Sequence, residues 1–375
     1  MAEDAAVWER VLELAARGRW SVSPNPMVGA VLVAPDGSVV GEGSHGRAGG
    51  PHAEAEALVA AGERARGSTL YVNLEPCAHH GRTPPCADAL VAAGVARVVA
   101  SLRDPDPRTS GRGFARLREA GVEVVEGPSR ERAEELNEVF LLSVRERRPF
   151  VHLKWAMTAD GKTASATGAS RWITGPEARE AALALREETD VILVGAGTVL
   201  ADDPLLTRRL GRNGSILPHR RVVLDGRLRC APSARVFDPA LPGEAWVVTA
   251  REEGDPALAP FRERGVRVVA LRGQGGLVDV GALLGFLAGL EVRSVLVEGG
   301  GETAWGFLAA GLADRVTVFL APSVLGGQRA ATPVGGEGIA RPDAALRLEA
   351  VTVDRVGADV RLSGRLARLP GGAAA

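Results

Sequence analysis

The chain has 375 residues, 46% of them hydrophobic and 24% charged, with a formal net charge of -1. That length predicts two domains with separate cores, and the composition excludes a disordered or fibrous chain. The near-neutral balance supplies no broad field for a polyanion, so a small-molecule substrate is expected and a nucleic-acid partner is not.

The acidic start "MAEDAAVWER" lacks the basic segment and apolar core of a secretory signal, and no later apolar run approaches membrane-spanning length. A cytoplasmic protein with no membrane partner is expected. The three cysteines cannot all pair, so the clustered Cys77 and Cys86 read as ligands or reactive thiols, while Cys230 reads as an ordinary small residue beside a strand.

In chain order, Val7, Trp8, Val11, Leu12 and Ala15 recur at helical spacing, and "MVGAVLVAPDGSVVGEG" reads as two strands around Pro35-Asp36-Gly37. A helix from about Ala53, the strand "STLYVNL", a helix over 86–93, the strand "ARVVAS", a helix over 113–120 and the strand "VEVVEG" follow. This alternation predicts a three-layer α/β domain. A further helix over 131–144 ends in "RERRP", where Pro149 stops it. The domain boundary is placed there: residues 1–147, then 148–369, then a tail over 370–375 expected to be disordered.

The second domain opens with "FVHLKWAMT" and continues through "DVILVGAG", "RRVVLDG", "AWVVTA", "VRVVAL", "SVLVEGG" and "RVTVFLA" as strands, with helices over 176–187, 280–288 and 303–310. The closing "LRLEAVTVDRVGADVRLSGRL" predicts an antiparallel edge hairpin joined at Gly357.

His52, Cys77 and Cys86 supply the nitrogen and two sulfurs of a catalytic zinc site that keeps its fourth position open. Pro84 and Pro85 can start a helix with Cys86 in its first turn, where the positive helix end favours a thiolate. Glu54 can take a proton from a metal-activated water and deliver it to a leaving amine. A closed structural site with His79 or His80 as fourth ligand is the competing arrangement, although it gives Glu54 no task.

His-x-Glu followed by Pro-Cys and a second Cys resembles the zinc-dependent nucleobase deaminase signature, with eight residues between the cysteines where that family usually has two. "PNPMVGAV", "HAEAEAL" and "LEPCAHHGRTPPC" together resemble the deaminase half of the bifunctional deaminase/reductases of riboflavin biosynthesis. The resemblance implies a cytidine-deaminase-like domain that hydrolytically removes an amino group from a diaminopyrimidinone ribosylamine 5'-phosphate. It implies that Asn25 and the "HHGRTPPC" loop hold the substrate, although Asn25 also reads as a turn residue and His79 and His80 as loop residues. The family's "DPNP" loop appears as "DPDP", so Asp106 departs from the pattern.

"SVLVEGGGETAWGFLAAGLAD" reads as a strand, a glycine turn at Gly299–Gly301 and a helix whose N–H groups can receive a pyrophosphate; its spacing is not the Rossmann fingerprint. "KWAMTADGKTA", "SRWITG", "VGAGTVLADDPLLTRR" and "VEGGGETAWG" occur in the order of the reductase half of the same family, so the resemblance covers the whole chain. It implies a dihydrofolate-reductase-like domain with a mixed sheet that binds NADPH and reduces the ribosyl group of the deaminated product to ribityl.

The same resemblance places Ala156, Trp172, Thr198, Asp202 and the run Gly300, Gly301, Glu302, Thr303, Ala304, Trp305 and Gly306 at the cofactor, and Ser170, Arg186, Leu206, Arg209 and Glu298 at the substrate. Arg186 and Arg209 suit a phosphate, with Arg186 alternatively solvated and Arg208 competing with Arg209 for the register. Trp172 alternatively packs. Lys154, Asp202 and Glu298 are the candidate proton donors, and Arg227 and Arg229 the candidate selectors of NADPH over NADH.

Two rivals stand beside this expectation: a nucleic-acid-editing deaminase with a noncatalytic second domain, and a reductase whose zinc is only structural. The exposed helices of the second domain are compatible with a homo-oligomer.

Overall fold

The computed structural model describes residues 2–78, 84–107, 109–209 and 219–367. The expected tail over 370–375, together with His79 and His80, lies outside them. The chain divides into two compact units, 1–147 and 148–375.

The first unit contains helices α1 (Ala2–Ala16), α2 (Ala53–Ala61), α3 (Cys86–Ala92), α4 (Arg112–Glu119), α5 (Arg130–Leu136) and α6 (Glu138–Glu146). Its strands are β1 (Gly29–Val33), β2 (Val39–Ser44), β3 (Thr69–Val72), β4 (Arg97–Ala100) and β5 (Glu123–Glu126), in the order β2-β1-β3-β4-β5. β1 runs antiparallel to β2 and β3, and β3, β4 and β5 are parallel.

The pleat sorts the core into two faces. Ala30, Leu32, Val98 and Ala100 join Ala57, Leu90 and Phe114 on one side, while Val31 and Val99 join Trp8, Val11 and Leu14 on the other. Helices thus cover both faces of the sheet, the three-layer arrangement expected.

Two local features bear on the site. A Cβ on Gly43 would meet the Ala53 carbonyl at 2.0 Å and one on Gly41 the Ala57 carbonyl at 2.2 Å, so these glycines let α2 lie directly on β2. The helix expected over 131–144 is broken at Asn137, whose side chain accepts from the Met27 N–H at 2.8 Å and donates to the Met27 carbonyl at 2.9 Å.

Among its described residues the second unit has nine strands: β6 (Phe150–Thr158), β7 (Val191–Gly195), β8 (Arg220–Leu224), β9 (Glu244–Thr249), β10 (Arg267–Ala270), β11 (Ser294–Glu298), β12 (Arg315–Ala321), β13 (Leu348–Val356) and β14 (Asp359–Leu366). Their order is β10-β9-β8-β7-β11-β6-β12-β14-β13. The first seven in that order are mutually parallel, and β14 and β13 close the edge as the expected antiparallel hairpin.

Its helices are α7 (Pro176–Glu187), α8 (Ala196–Asp202), α9 (Ala259–Glu263), α10 (Val280–Ala288) and α11 (Gly301–Ala309). The parallel strands are buried on both faces, with Val151, Leu153, Leu193 and Phe307 in one core and Ile192, Val194, Val223 and Phe261 in the other. Three expectations are corrected here: the strand read through Gly197 turns into α8 at Ala196, α9 was not foreseen, and α11 begins at Gly301 rather than Thr303.

Candidate active sites

In the first unit His52 is the N-cap of α2, Glu54 sits in its first turn, Cys77 follows β3, and Cys86 is the first residue of α3. The three ligand atoms lie within 4.8 Å of one another, with His52 Nδ1 3.6 Å from Cys77 Sγ and 3.3 Å from Cys86 Sγ.

The Cys86 N–H donates to Cys77 Sγ at 3.3 Å. The hydrogen bond between the two sulfurs pulls the Cys77 thiol down to about 4 and, with burial, pushes the Cys86 thiol up. Cys77 therefore carries the pair's first negative charge. One nitrogen and two converging sulfurs, one already favoured as thiolate, fit a zinc ion. Glu54 is 4% exposed, and burial lifts its carboxyl to about 7 against the pull of His52.

Asn25 is no mere turn residue: its Nδ2 lies 3.0 Å from His45 Nε2, while His45 Nδ1 lies 2.8 Å from the Pro51 carbonyl. A carbonyl can only accept, so Nδ1 donates and Nε2 accepts from Asn25. Burial depresses the His45 pKa and keeps the ring neutral. His45 thereby fixes the residue before His52, a part assigned to no residue by the sequence.

Glu75 was also missed. Its buried carboxylate accepts backbone N–H groups from Asp104, Gly111, Gly113 and Phe114, tying the Cys77 loop to the segment leading into α4. Asp106 meets Asp104 through its backbone, the N–H donating to Asp104 Oδ1 at 2.8 Å. That contact is available to Asn and Asp alike.

The second site is a cavity of about 800 Å³ at the carboxyl ends of β6, β7 and β11. Ligands in open parallel sheets settle at such strand ends. Lys154 and Ala156 reach it from the same face of β6, Thr198 and Asp202 from α8, and Gly299, Gly300 and Gly301 from the turn into α11. Gly299 and Gly300 have φ of 72° and 83°, which that turn requires. Ser170, Trp172, Arg186, Leu206, Arg209 and Glu298 complete the foreseen lining.

The rest of the α11 run is placed differently. Glu302 accepts from the Gly336 N–H at 3.1 Å, Trp305 packs where a Cβ on Gly336 would lie, Thr303 faces Gly195, and Ala304 is buried. Gly306 does not line the cavity. Only the glycine turn faces it. Trp172 is 71% exposed, which removes the packing alternative, and Arg179 stacks on its ring at 4.5 Å.

Glu298 is the electrostatic centre. Arg186 donates to it through Nε at 2.6 Å and Nη2 at 2.9 Å, and Lys154 Nζ, opposite in the β6–β11 register, is 3.8 Å away. Burial raises the Glu298 pKa, but the two cations outweigh it and hold the carboxylate down to about 2. Burial lowers Lys154, with Glu298 opposing.

Arg186 is therefore not a solvated helix charge. Asp202 accepts from Ser170 Oγ at 2.6 Å. Arg208 donates to the Arg186 and Thr189 carbonyls, which leaves Arg209 on the cavity. Arg227 lines a separate pocket with Arg251 and Arg272, whereas Arg229 does not. Cys230 is buried in the core, its thiol pushed up to about 12 by burial.

Residues 1–102 match the family described as cytidine and deoxycytidylate deaminase zinc-binding region, and residues 149–362 match the RibD C-terminal domain. The riboflavin biosynthesis protein RibD of Escherichia coli strain K12 is 45% identical over 86% of this chain and 89% of its own length. That of Aquifex aeolicus is 41% identical over 93% and 94%.

Among solved structures, Acinetobacter baumannii RibD is 36% identical with a TM-score of 0.87, covering 98% of this chain and 99% of its own. A diaminohydroxyphosphoribosylaminopyrimidine deaminase/5-amino-6-(5-phosphoribosylamino)uracil reductase from Thermotoga maritima is 36% identical with a TM-score of 0.83 at the same coverage.

Proposed function

Because this chain belongs to the RibD family, the bifunctional deaminase/reductases of riboflavin biosynthesis, we propose that its two sites act in turn on the substrates named for the Thermotoga protein. The first removes an amino group from the diaminopyrimidinone ribosylamine phosphate. The second reduces the ribosyl group of the product. The observation that carries this is the convergence of His52, Cys77 and Cys86 beside the buried carboxyl of Glu54.

His52 Nδ1 and the sulfurs of Cys77 and Cys86 are the zinc ligands. Bound there, zinc supplies a Lewis acid that makes water nucleophilic near neutral pH. Glu54 accepts the proton the water gives up and passes it to the departing nitrogen, which leaves as ammonia while oxygen takes its place. Asn25 faces the substrate and, through His45, steadies the turn that presents His52.

In the second site the glycine turn at Gly299–Gly301, with Ala156, Trp172, Thr198 and Asp202, receives NADPH, which supplies hydride when bound. Ser170, Leu206, Arg209 and Glu298 line the substrate side. As C1 of the ribose is reduced and its ring C–O bond breaks, the ring oxygen needs a proton. Lys154 is the donor: Glu298 is held ionised by its two cations, Asp202 accepts from Ser170, and Lys154 is a cation whose charge burial disfavours. The enzyme works in the cytoplasm on small molecules, without nucleic acid or membrane as partner; a homo-oligomer is compatible with this function.

The test follows ammonia release and NADPH oxidation together in the zinc-loaded protein. Ammonia is expected without cofactor, and NADPH consumption only after deamination. Glu54→Gln should lower ammonia release at least a hundredfold while zinc content and reduction of pre-deaminated substrate persist. Ammonia release at the wild-type rate from Glu54→Gln would remove the proton-transfer role of Glu54, and no ammonia from folded, zinc-loaded wild-type protein would leave the structural-zinc arrangement in place of the deaminase.

A further inference from the structure

The segment 322–347 joins β12 to the edge hairpin, and three of its residues, Ala331, Thr332 and Pro333, belong to the lining of the cavity in the second unit. Two carboxylates hold the chain on either side of these three residues.

The first is Asp160, in the turn after β6. Its Oδ2 accepts from the Gly326 N–H at 2.7 Å, and its Oδ1 accepts from the Leu325 N–H at 3.1 Å and from Thr158 Oγ1 at 2.6 Å. The same turn adds two backbone bonds, from the Ala159 N–H to the Ser323 carbonyl at 2.8 Å and from the Thr163 N–H to the Ala331 carbonyl at 2.9 Å.

The second is Glu302, in the first turn of α11. Its Oε1 accepts from the Gly336 N–H at 3.1 Å, and a Cβ on Gly335 would stand 2.6 Å from that oxygen. A Cβ on Gly301 would meet the Gly335 N at 2.8 Å, and Gly336, with φ of 72°, lies against the Trp305 indole. The segment thus rests directly on the glycine turn that leads into α11.

The chemistry of Glu302 separates it from a pyrophosphate contact. A carboxylate and a pyrophosphate are both acceptors only and carry like charge, so neither satisfies the other. Its oxygen is instead matched to a donor of the segment that carries Thr332, whose Oγ1 donates to the Val334 carbonyl at 3.2 Å.

We propose that Asp160 and Glu302 are positioning residues that clasp residues 323–336 against the cavity, so that Ala331, Thr332 and Pro333 form a wall of the cofactor site, and that Glu302 acts on NADPH only through this segment. The assignment rests on the reductase function proposed above.

The test uses the full zinc-loaded chain and reads NADPH twice, as a dissociation constant from fluorescence titration and as KM with pre-deaminated substrate. Glu302→Ala should raise both about fivefold or more and leave kcat within about twofold of wild type. Glu302→Gln keeps an acceptor for Gly336 and should stay within about twofold in all three. Gly336→Ala, which forces the segment off Trp305, should reproduce Glu302→Ala, and the double variant should be no worse than either single one. Asp160→Ala should weaken NADPH binding in the same way. Trypsin gives a readout apart from the cofactor: Arg329 is exposed between the two clasps, so cleavage after it should quicken in Glu302→Ala and Asp160→Ala and slow in wild type when NADPH is bound.

An NADPH dissociation constant within about twofold of wild type in Glu302→Ala, or equal losses in Glu302→Gln and Glu302→Ala, would overturn the role of Glu302. Faster cleavage after Arg329 with undiminished NADPH binding would show that the segment is no wall of the cofactor site. Wild-type protein that neither binds NADPH nor consumes it with pre-deaminated substrate defeats the reductase function itself, and this assignment with it.

Discussion

Glu75 shows how much a single carboxylate can organise. It is 3% exposed and receives four backbone N–H groups, from Asp104, Gly111, Gly113 and Phe114, two residues before the ligand Cys77. Leaving buried donors unpaired costs about 1–3 kcal/mol for each. Glu75→Ala should therefore destabilise the first unit by at least about 3 kcal/mol, lower the urea concentration at which zinc is released and leave the reductase rate unchanged. Glu75→Gln, which keeps one good acceptor, should fall between; zinc release at the wild-type urea concentration in Glu75→Ala would contradict this. The residue stands inside the motif "LEPC", yet its role was not legible there because its partners lie 29 to 39 positions away. His52, Cys77 and Cys86 were legible because zinc chemistry restricts which side chains can serve and how many are needed.

At the scale of elements, the zinc site depends on where α2 lies on the sheet, and that depends on glycines of β2. A side chain at Gly43 would clash with backbone, at 2.0 Å from the Ala53 carbonyl and 2.6 Å from the Ala57 N, so no rotamer change can relieve it. Gly43→Ala should push α2 outward with His52 and Glu54, weaken zinc binding at least tenfold and cost about 1–3 kcal/mol of stability. Gly46→Ala is the control, since its Cβ would meet nothing within 4 Å and its backbone is not left-handed. Equal zinc affinity in the two variants would show that the helix can shift without cost. The long periodic helices and the β-branched strands were readable locally because each repeats one pattern for several turns or pleats. The break at Asn137 was not, since its cause is a clamp on Met27, 110 residues earlier. Nor was α8, seven residues that follow β7 directly with Gly195 as N-cap and no capping side chain to mark the change.

At the scale of the whole chain, each unit has its own core and its own ligand, so the two should respond to different solutes. In calorimetry, chelation of zinc should lower one unfolding transition and NADPH should raise the other. Acid adds a third handle, and in the second unit it acts through a buried histidine. His152, on β6, is partly buried with Nε2 2.8 Å from Thr317 Oγ1, and burial, reinforced by Arg315, depresses its pKa to about 3. In the unfolded chain it titrates near the ordinary value of about 6.5. Between these two values the unfolded state binds a proton that the folded state does not, so the second unit loses stability as pH falls below about 6.5. The loss between pH 7 and pH 5 is at most about 2 kcal/mol. The depressed Glu298 adds to it only at lower pH, where the unfolded carboxyl begins to protonate near about 4.3. His152→Gln can keep a hydrogen bond to Thr317 but cannot titrate, so it should flatten the acid slope of the NADPH-sensitive transition and leave the acid slope of the zinc-sensitive one, to which His45 contributes, as it is in the wild type. An unchanged slope in that variant would mean that the neutral imidazole is not what makes the second unit acid-sensitive.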